Sequence, residues 1–295
     1  ARCLTRKLSN GKTEYFHSVL EAKLVLGNGM VVSLASVPLE NASGGYEKQD
    51  CELKAFTRLA DKLRQCYPRL PMCILMDSLF AVEPVFRRCR EEGWSFIAVF
   101  KEGRTPARWK DAMDECRRHP ANRKEVVRKD GTTQRFAWAT GLRHGDETVH
   151  AVVCDETGQD GKTTDWAWVS DHRPDKHNVD TLANEGGRLR WKVENEGFNV
   201  QKNGDIRLEH DYGSKGNAWY NYYLLAQIAH LILQLCWLGD AVRTVSGGAH
   251  ESMAAAFRTV RNFVEWLRTA VCKGEAPPPP GDFDPAAIQV RFSSA

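Results

Sequence analysis

No two cysteines in this sequence stand as a Cys-x-x-Cys pair, and their number is odd. The nine (Cys3, Cys51, Cys66, Cys73, Cys89, Cys116, Cys154, Cys236, Cys272) are scattered singly. That argues against the usual structural zinc spacings and against a disulfide framework, and makes a reducing cytoplasm the expected setting. A run of ~20 apolar residues, which a bilayer span needs, is also missing. The most apolar stretch, Leu224–Leu238, carries Gln227, His230 and Gln234 at i, i+3 and i+7. It reads as a buried core helix, and no membrane partner is expected. The opening residues do not place a basic start before an apolar core, the pattern of a signal peptide. Charge of one sign is lacking as well: the net charge of +3 identifies no partner. There is no internal repeat, and no aspartate precedes Asp50.

What charge there is lies unevenly. Residues 1–13 hold Arg2, Arg6, Lys7 and Lys12 and no acid, and residues 101–135 hold 11 Lys/Arg against 6 Asp/Glu. Uneven basic charge suits a polyanion, although most such clusters are simply solvated surface. Residues 14–26 and 30–39 read as two strands around a Gly27-Asn28-Gly29 turn. A Ser/Gly-rich loop (41–46) leads to an amphipathic helix over about 47–67, ended by Pro68 and Pro71. Met72–Met76 is a continuous apolar run, typical of a strand buried on both faces. A helix (82–92) and a strand (95–100) follow, which implies a parallel pair joined by a crossover.

Residues 101–185 then mix one charged helix (106–118) with strand-like pieces at 125–127, 134–141, 148–155 and 165–170. This reads as a β-rich insertion into an α/β core. Helices are expected again over 188–202, 218–238 and 249–272, before a tail containing Pro277–Pro280, expected to be poorly ordered. The expected divisions are 1–100, 101–185, 186–275 and 276–295.

Within the 188–202 segment, RLRWKVENEGFNVQK, the residues Arg190, Glu194, Phe198 and Lys202 recur every fourth position. On a helix they share a face, drifting by ~40° per step. A solvated face with ion pairs is the plain reading; a metal-binding Glu between phosphate-reaching basic residues is the functional one. A second carboxylate, Asp77, stands at the end of the apolar strand. Ligands gather beyond the carboxyl ends of strands in open α/β sheets, while an N-cap is the structural alternative. Two such carboxylates suit Mg²⁺, which keeps several waters for a phosphate to displace.

The strand-end Asp in ILMDSLFA, the β-rich stretch after it, and RWKVENEGFNVQK followed by LEHDYGSKGNAWYNYYLLAQIAH resemble bacterial insertion-sequence transposases of the DDE type, closest to the insertion-sequence-four branch. The resemblance runs from the N-terminal strands to about Leu238. It implies a ribonuclease H-like core with a β-rich insertion and C-terminal helices. It also implies Mg²⁺-dependent cleavage of transposon ends and strand transfer, with Mn²⁺ as a substitute, on double-stranded DNA and as a homodimer. Asp77 and Glu194 take the roles of the second and last metal carboxylates, with Glu196 as the alternative to Glu194.

Arg190 matches the arginine of that branch's Tyr-Arg-Glu-Lys signature, which contacts end phosphates. The signature tyrosine would fall at Gly187, and the lysine at Gln201, one position before Lys202. The first catalytic aspartate would lie on a strand before Ala1, so the chain reads as a catalytic-core fragment with two of three carboxylates. Asp50, in Lys48-Gln49-Asp50-Cys51-Glu52, reads as a helix-start acid instead.

The resemblance further offers an insertion-domain tryptophan for stacking on a flipped base; Trp166 and Trp168, on one side of a strand, are the candidates, with core packing as the alternative. Lys101 is a candidate phosphate contact. His210 and His230 read as packing residues, and Asn217 and Asn221 as helix-start and interhelix hydrogen-bonding positions. Two other readings stay open: a remnant that binds DNA without cutting, and another ribonuclease H-like nuclease.

Overall fold

The computed structural model describes residues 3–27, 29–41, 48–203, 206, 208–209, 213, 216–238 and 253–273. The chain divides into two units, Ala1–Ala22 with Leu34–Trp191, and Lys23–Ser33 with Lys192–Ala295. The expected Pro-rich tail, the residues 249–252, Asn28 of the turn, the loop residues 42–46 and His210 lie outside the described residues.

The first unit is built on a six-stranded sheet. Its strands are β5 (Cys73–Met76), β6 (Ser95–Val99), β7 (Arg123–Val127), β8 (Thr133–His144), β9 (Glu147–Thr157) and β10 (Thr163–Ser170), in the order β5-β6-β10-β9-β8-β7. β5 and β6 are parallel, Cys73 beside Ser95 through Met76 beside Ala98, as the strand–helix–strand order requires. The remaining pairings are antiparallel, and β10 joins β6 with Trp168 beside Val99. The strands expected as an insertion therefore continue the same sheet. Earlier in the chain, β1 (Leu4–Lys7) pairs with β2 (Thr13–Phe16), and β3 (Ser18–Val25) with β4 (Val31–Leu39).

Alternation along β6 and β10 sends side chains to two cores. Phe96, Ala98, Phe100, Ala167 and Val169 face one cluster with residues of α1 (Glu52–Cys66), α2 (Glu83–Glu91) and α3 (Pro106–Arg118). Ile97, Trp168, Phe136, Trp138, Val152 and Cys154 face the other, against Val179 and Ala183. Truncating a side chain as enclosed as Phe86 or Phe136 costs about 3–5 kcal/mol, because the cavity does not fully close.

α1 begins at Glu52 rather than near residue 47. The side chain of Gln49 bonds the backbone of Thr5 instead, accepting from its N–H (2.6 Å) and donating to its carbonyl (3.0 Å). Asp50 accepts from the Glu40 amide (3.0 Å) and pairs with Arg58 (2.6 Å). These bonds hold residues 48–51 outside the helix. β5 corrects a second expectation. Cys73 is exposed and Ile74 and Leu75 are half-buried, because among the described residues this strand is the sheet's edge and pairs only with β6.

From Val179 to Asn203 the chain is helical but of mixed pitch. α-Helical turns at Val179–Thr181, Arg190–Lys192 and Val200–Asn203 are separated by π turns at Leu182–Gly186 and Val193–Asn199 and a 3-10 turn at Gly187–Leu189. The expected uniform helix over 188–202 is thus a composite one.

In the second unit, α4 (Ala218–Leu238) has the expected bounds. Its faces are reversed from a core helix. Gln227, His230 and Gln234 are buried, while Leu225, Ile228, Ile232 and Leu235 are exposed. The inward stripe is tied to the hairpin tip: Val31 N–H donates to Gln234 Oε1 (2.7 Å), and Gln234 Nε2 donates to the Val31 carbonyl (3.0 Å). The single helix expected near the C-terminus is two, α5 (Met253–Phe257) and α6 (Val260–Lys273). Arg258 between them adopts a left-handed φ of 64°, and Asn262 donates from its side chain to the Phe257 carbonyl (2.9 Å). Phe257, Phe263 and Trp266 cluster there. Among the described residues no helix is long and apolar enough to cross a membrane.

Candidate functional site

Asp77 follows the last residue of β5, at the carboxyl end of the parallel pair. Its Oδ1 accepts the Leu79 N–H (2.8 Å) and caps the short turn Ser78–Phe80, which is the structural alternative the sequence offered. The carboxylate is exposed. At the same sheet end, Lys101 follows β6 by two residues and opens the loop before α3, exposed, with its carbonyl accepting from Arg104 N–H (3.1 Å).

The structure also brings Glu52 into this neighbourhood. Burial, and then the charge of Asp77, push the Glu52 carboxyl above its ordinary value. In the sequence Glu52 carried only the signal of a first-turn acid. Asp50, by contrast, is engaged in structure: burial opposes its ionisation, but Arg58 and the amides of Glu40 and Cys51 outweigh that and hold its carboxyl below the ordinary value. Among the described residues no group of three His, Cys, Asp or Glu side chains is gathered for a metal ion.

Arg190 and Glu194 both lie on the composite helix, Arg190 half-buried and Glu194 exposed; the division between the units falls after Trp191. The π turn decides the position of the lysine. One extra residue rotates a side chain by ~100° in a regular α-helix, so Lys202 would leave the face that position 201 shares with Glu194. The run Val193–Asn199 has π geometry, which closes each hydrogen bond one residue later and takes up about one additional residue per turn. Lys202 therefore returns to the Glu194 face, and position 201 turns away.

The side chains agree. Lys202 is exposed and pairs with Glu209 (2.9 Å). Gln201 is fully buried, its Nε2 donating to Gln227 Oε1 (2.8 Å) and to His230 Nδ1 (2.9 Å). His230 is a satisfied packing residue, as its pattern suggested. Gly197 lies against Lys23 and Val31; a Cβ there would sit 3.3 Å from Lys23 Cδ. Lys23 in turn lies over the Phe198 ring (4.9 Å) and donates to Gln227 Oε1 (3.0 Å). The side chain of Glu196 lies outside the described residues.

Trp166 and Trp168 are stacked, centroids 6.2 Å apart and planes 3° from parallel. Trp168 is buried at 4% exposure, its indole against Gly187. That is the core-packing alternative, and it leaves no ring face for a base. Trp166 is half-buried and carries the Arg188 guanidinium over its ring (4.9 Å). Arg188 also forks onto Glu156, Nη2 to Oε1 at 3.0 Å. Burial works against the Glu156 charge, but Arg188 and Gln134 prevail and hold its carboxyl below the ordinary value.

No protein-family model matches the chain, and no curated protein matches it.

Proposed function

We propose that the chain carries the catalytic core of a DDE-type transposase, with a ribonuclease H-like core acting on double-stranded DNA as a homodimer. Asp77 and Glu194 are its metal-binding carboxylates. One observation supports the reading: with π geometry over Val193–Asn199, the exposed Lys202 rather than the buried Gln201 shares the face of Glu194. Arg190 and Lys202 are phosphate contacts that position DNA without reading its sequence. Lys101, beyond β6, is a third. Trp166 is the aromatic candidate for an extruded base, which would take the ring face that Arg188 now covers. Glu52, beside Asp77, raises the negative potential where the cation binds. Bound Mg²⁺, or Mn²⁺ in its place, would activate the attacking hydroxyl and stabilise the leaving oxygen of an in-line phosphoryl transfer.

The test is metal-dependent cleavage and strand transfer of transposon-end DNA by the protein. Asp77→Ala and Glu194→Ala are expected to abolish both activities while leaving salt-dependent DNA binding in place. Near-normal cutting by Glu194→Ala would overturn its assignment, and loss in Glu196→Ala alone would move the role there. Strongly salt-dependent binding with no cutting by the wild type would make the protein a binding remnant. Cutting without strand transfer would make it a nuclease.

A further inference from the structure

In the first unit, α3 and the end of the β8–β9 hairpin enclose a cleft of about 70 Å³. Phe100, Leu142, Val149 and Val169 form its apolar walls, and Arg108, Asp111 and His144 bring polar groups to it. A β-bulge creates this arrangement. The register passes from Ala139 beside Ala151 to Leu142 beside Val149, so β8 takes three steps where β9 takes two. Gly141 absorbs the extra residue at a left-handed φ of 74°, and its N–H donates to His150 Nδ1 (3.1 Å). One extra residue exchanges the faces of every side chain after it. Leu142 and His144 would otherwise follow Phe136 and Trp138 to the opposite core; instead Leu142 packs with the α1–α3 cluster and His144 meets Phe86 of that cluster. Arg143, between them, also borders the cleft, but alternation turns its side chain to the other face of the sheet.

His144 is left in an unsatisfied state. It is 9% exposed, and among the described residues neither ring nitrogen has a hydrogen-bond partner. Phe86 holds the ring edge-on, centroids 5.2 Å apart. Burial, and then the charge of Arg108, hold the imidazole below its ordinary pKa against the pull of Glu83, so it is neutral at pH 7. A neutral imidazole has one N–H to donate and one nitrogen to accept. Leaving such a group buried without a partner is costly.

We propose that this cleft is a binding site for a small carboxylate bearing a short apolar chain. Arg108 Nη1 lies 3.7 Å from Asp111 Oδ2, outside hydrogen-bond reach. Its guanidinium fork is thus uncommitted and can take a carboxylate through two parallel bonds. His144 supplies a further N–H where water is largely excluded. The chain of the ligand lies against Phe100, Val149 and Val169, each at most 4% exposed. The space equals roughly five waters, which limits the ligand to about six heavy atoms. A dianion such as phosphate fits less well, because Asp111 opposes its second charge and the apolar walls leave its other oxygens without donors. None of Asp77, Lys101, Arg190, Glu194 and Lys202 lines the cleft, so the site does not depend on the transposase reading.

The experiment is an NMR titration of the methyl-labelled full chain with butyrate, and separately with 2-aminobutyrate and inorganic phosphate at matched ionic strength. Butyrate is expected to shift the methyls of Leu142, Val149 and Val169 saturably, with a Kd on the order of 1 mM for a ligand this small. Phosphate is expected to leave them in place. Arg108→Gln, at a half-exposed position, is expected to weaken butyrate binding about tenfold. His144→Phe keeps an aromatic ring against Phe86 but removes the N–H, and is expected to weaken binding severalfold. Arg143→Gln should leave the affinity unchanged. Binding of 2-aminobutyrate as tight as that of butyrate or tighter would identify the carboxylate as that of an amino acid, with Asp111 taking the ammonium; weaker binding would identify a simple acid. A cleft that holds only water would show no saturable shift, and that result overturns the proposal. So does phosphate binding as tightly as butyrate, a loss in Arg143→Gln equal to that in Arg108→Gln, or an affinity unchanged in both Arg108→Gln and His144→Phe.

Discussion

Gly187 sits against the indole of Trp168 so closely that a Cβ on the glycine would overlap the ring. Gly186 beside it meets Ile97 in the same way. The Gly-Gly pair thus lets the composite helix approach β10 and β6 where a side chain would hold it off. Gly187→Ala is expected to destabilise the fold by about 1–3 kcal/mol, the usual cost of overpacking, read as a lowered thermal midpoint. In a Trp168→Ala background the same substitution should cost less, and a double-mutant cycle with no coupling would show that the contact does not set the approach.

The pitch of the composite helix gives two neighbouring residues different surroundings, and the proposed function gives them different roles. Lys202→Ala is expected to weaken DNA binding for every sequence and to reduce the slope of log affinity against log salt by about 1. Gln201→Ala should leave that slope alone and instead lower stability by about 1–3 kcal/mol, because it leaves buried partners unsatisfied. An exchange of these two phenotypes would mean that the helix runs in a regular α register through 193–199.

His230 gives the second unit a pH dependence. Burial, and then Lys23, depress its pKa from 6.5 to about 4, and its Nδ1 accepts from the amides of Gln201 and Gln234. The unfolded chain therefore takes up a proton that the folded chain refuses. Stability is full above pH 6.5 and is lost as pH falls toward 4, on the order of 3 kcal/mol for this group. His144 and His150 are also lowered, in both cases mainly by burial, and give the first unit a dependence of the same sign. Denaturation curves at pH 7 and pH 5 should show the loss, and His230→Gln should remove only its own part of it. An identical pH slope in the variant would assign the effect elsewhere.

Glu52 and Asp77 can be checked as a pair by carboxyl titration. Replacing Asp77 with Asn removes a negative charge from beside Glu52, so the Glu52 pKa is expected to fall toward its ordinary value while remaining above it through burial. A Glu52 titration that does not move in Asp77→Asn would separate the two carboxylates.

Where local chemistry dictates an element, the sequence shows it. α3 begins with Pro106 at its first position and ends with Arg117 and Arg118 in its last turn, and its limits are readable from those residues alone. The parallel pair β5/β6 and the extent of α4 are equally legible. Other features depend on partners that a linear pattern does not name. The run CILM looks doubly buried, yet it is an edge strand, because burial follows from what lies beside a strand and not only from its composition. Trp166 and Trp168 read alike, but only one lies under Gly187. α4 reads as a core helix because periodicity reveals a two-sided helix without revealing which side faces in. The π turns leave no residue signature; without them Lys202 looks misplaced. The break at Arg258 is hidden for a related reason, since no Gly or Pro marks it.

The joining of β10 to β6 has a consequence for how the first unit folds. β7 to β10 follow one another as neighbouring antiparallel strands, so each pairing closes a short loop, and β5 and β6 lie within one crossover of each other. The pairing of Trp168 with Val99 instead spans 69 residues of chain, and long-range closure is the entropically slow step. The four-strand meander and the β5–β6 pair are therefore expected to form separately and to dock late, with amide exchange in β6 and β10 protected after that in β8 and β9. The sheet end that carries Asp77 and Lys101 would be completed last in the assembly of this unit.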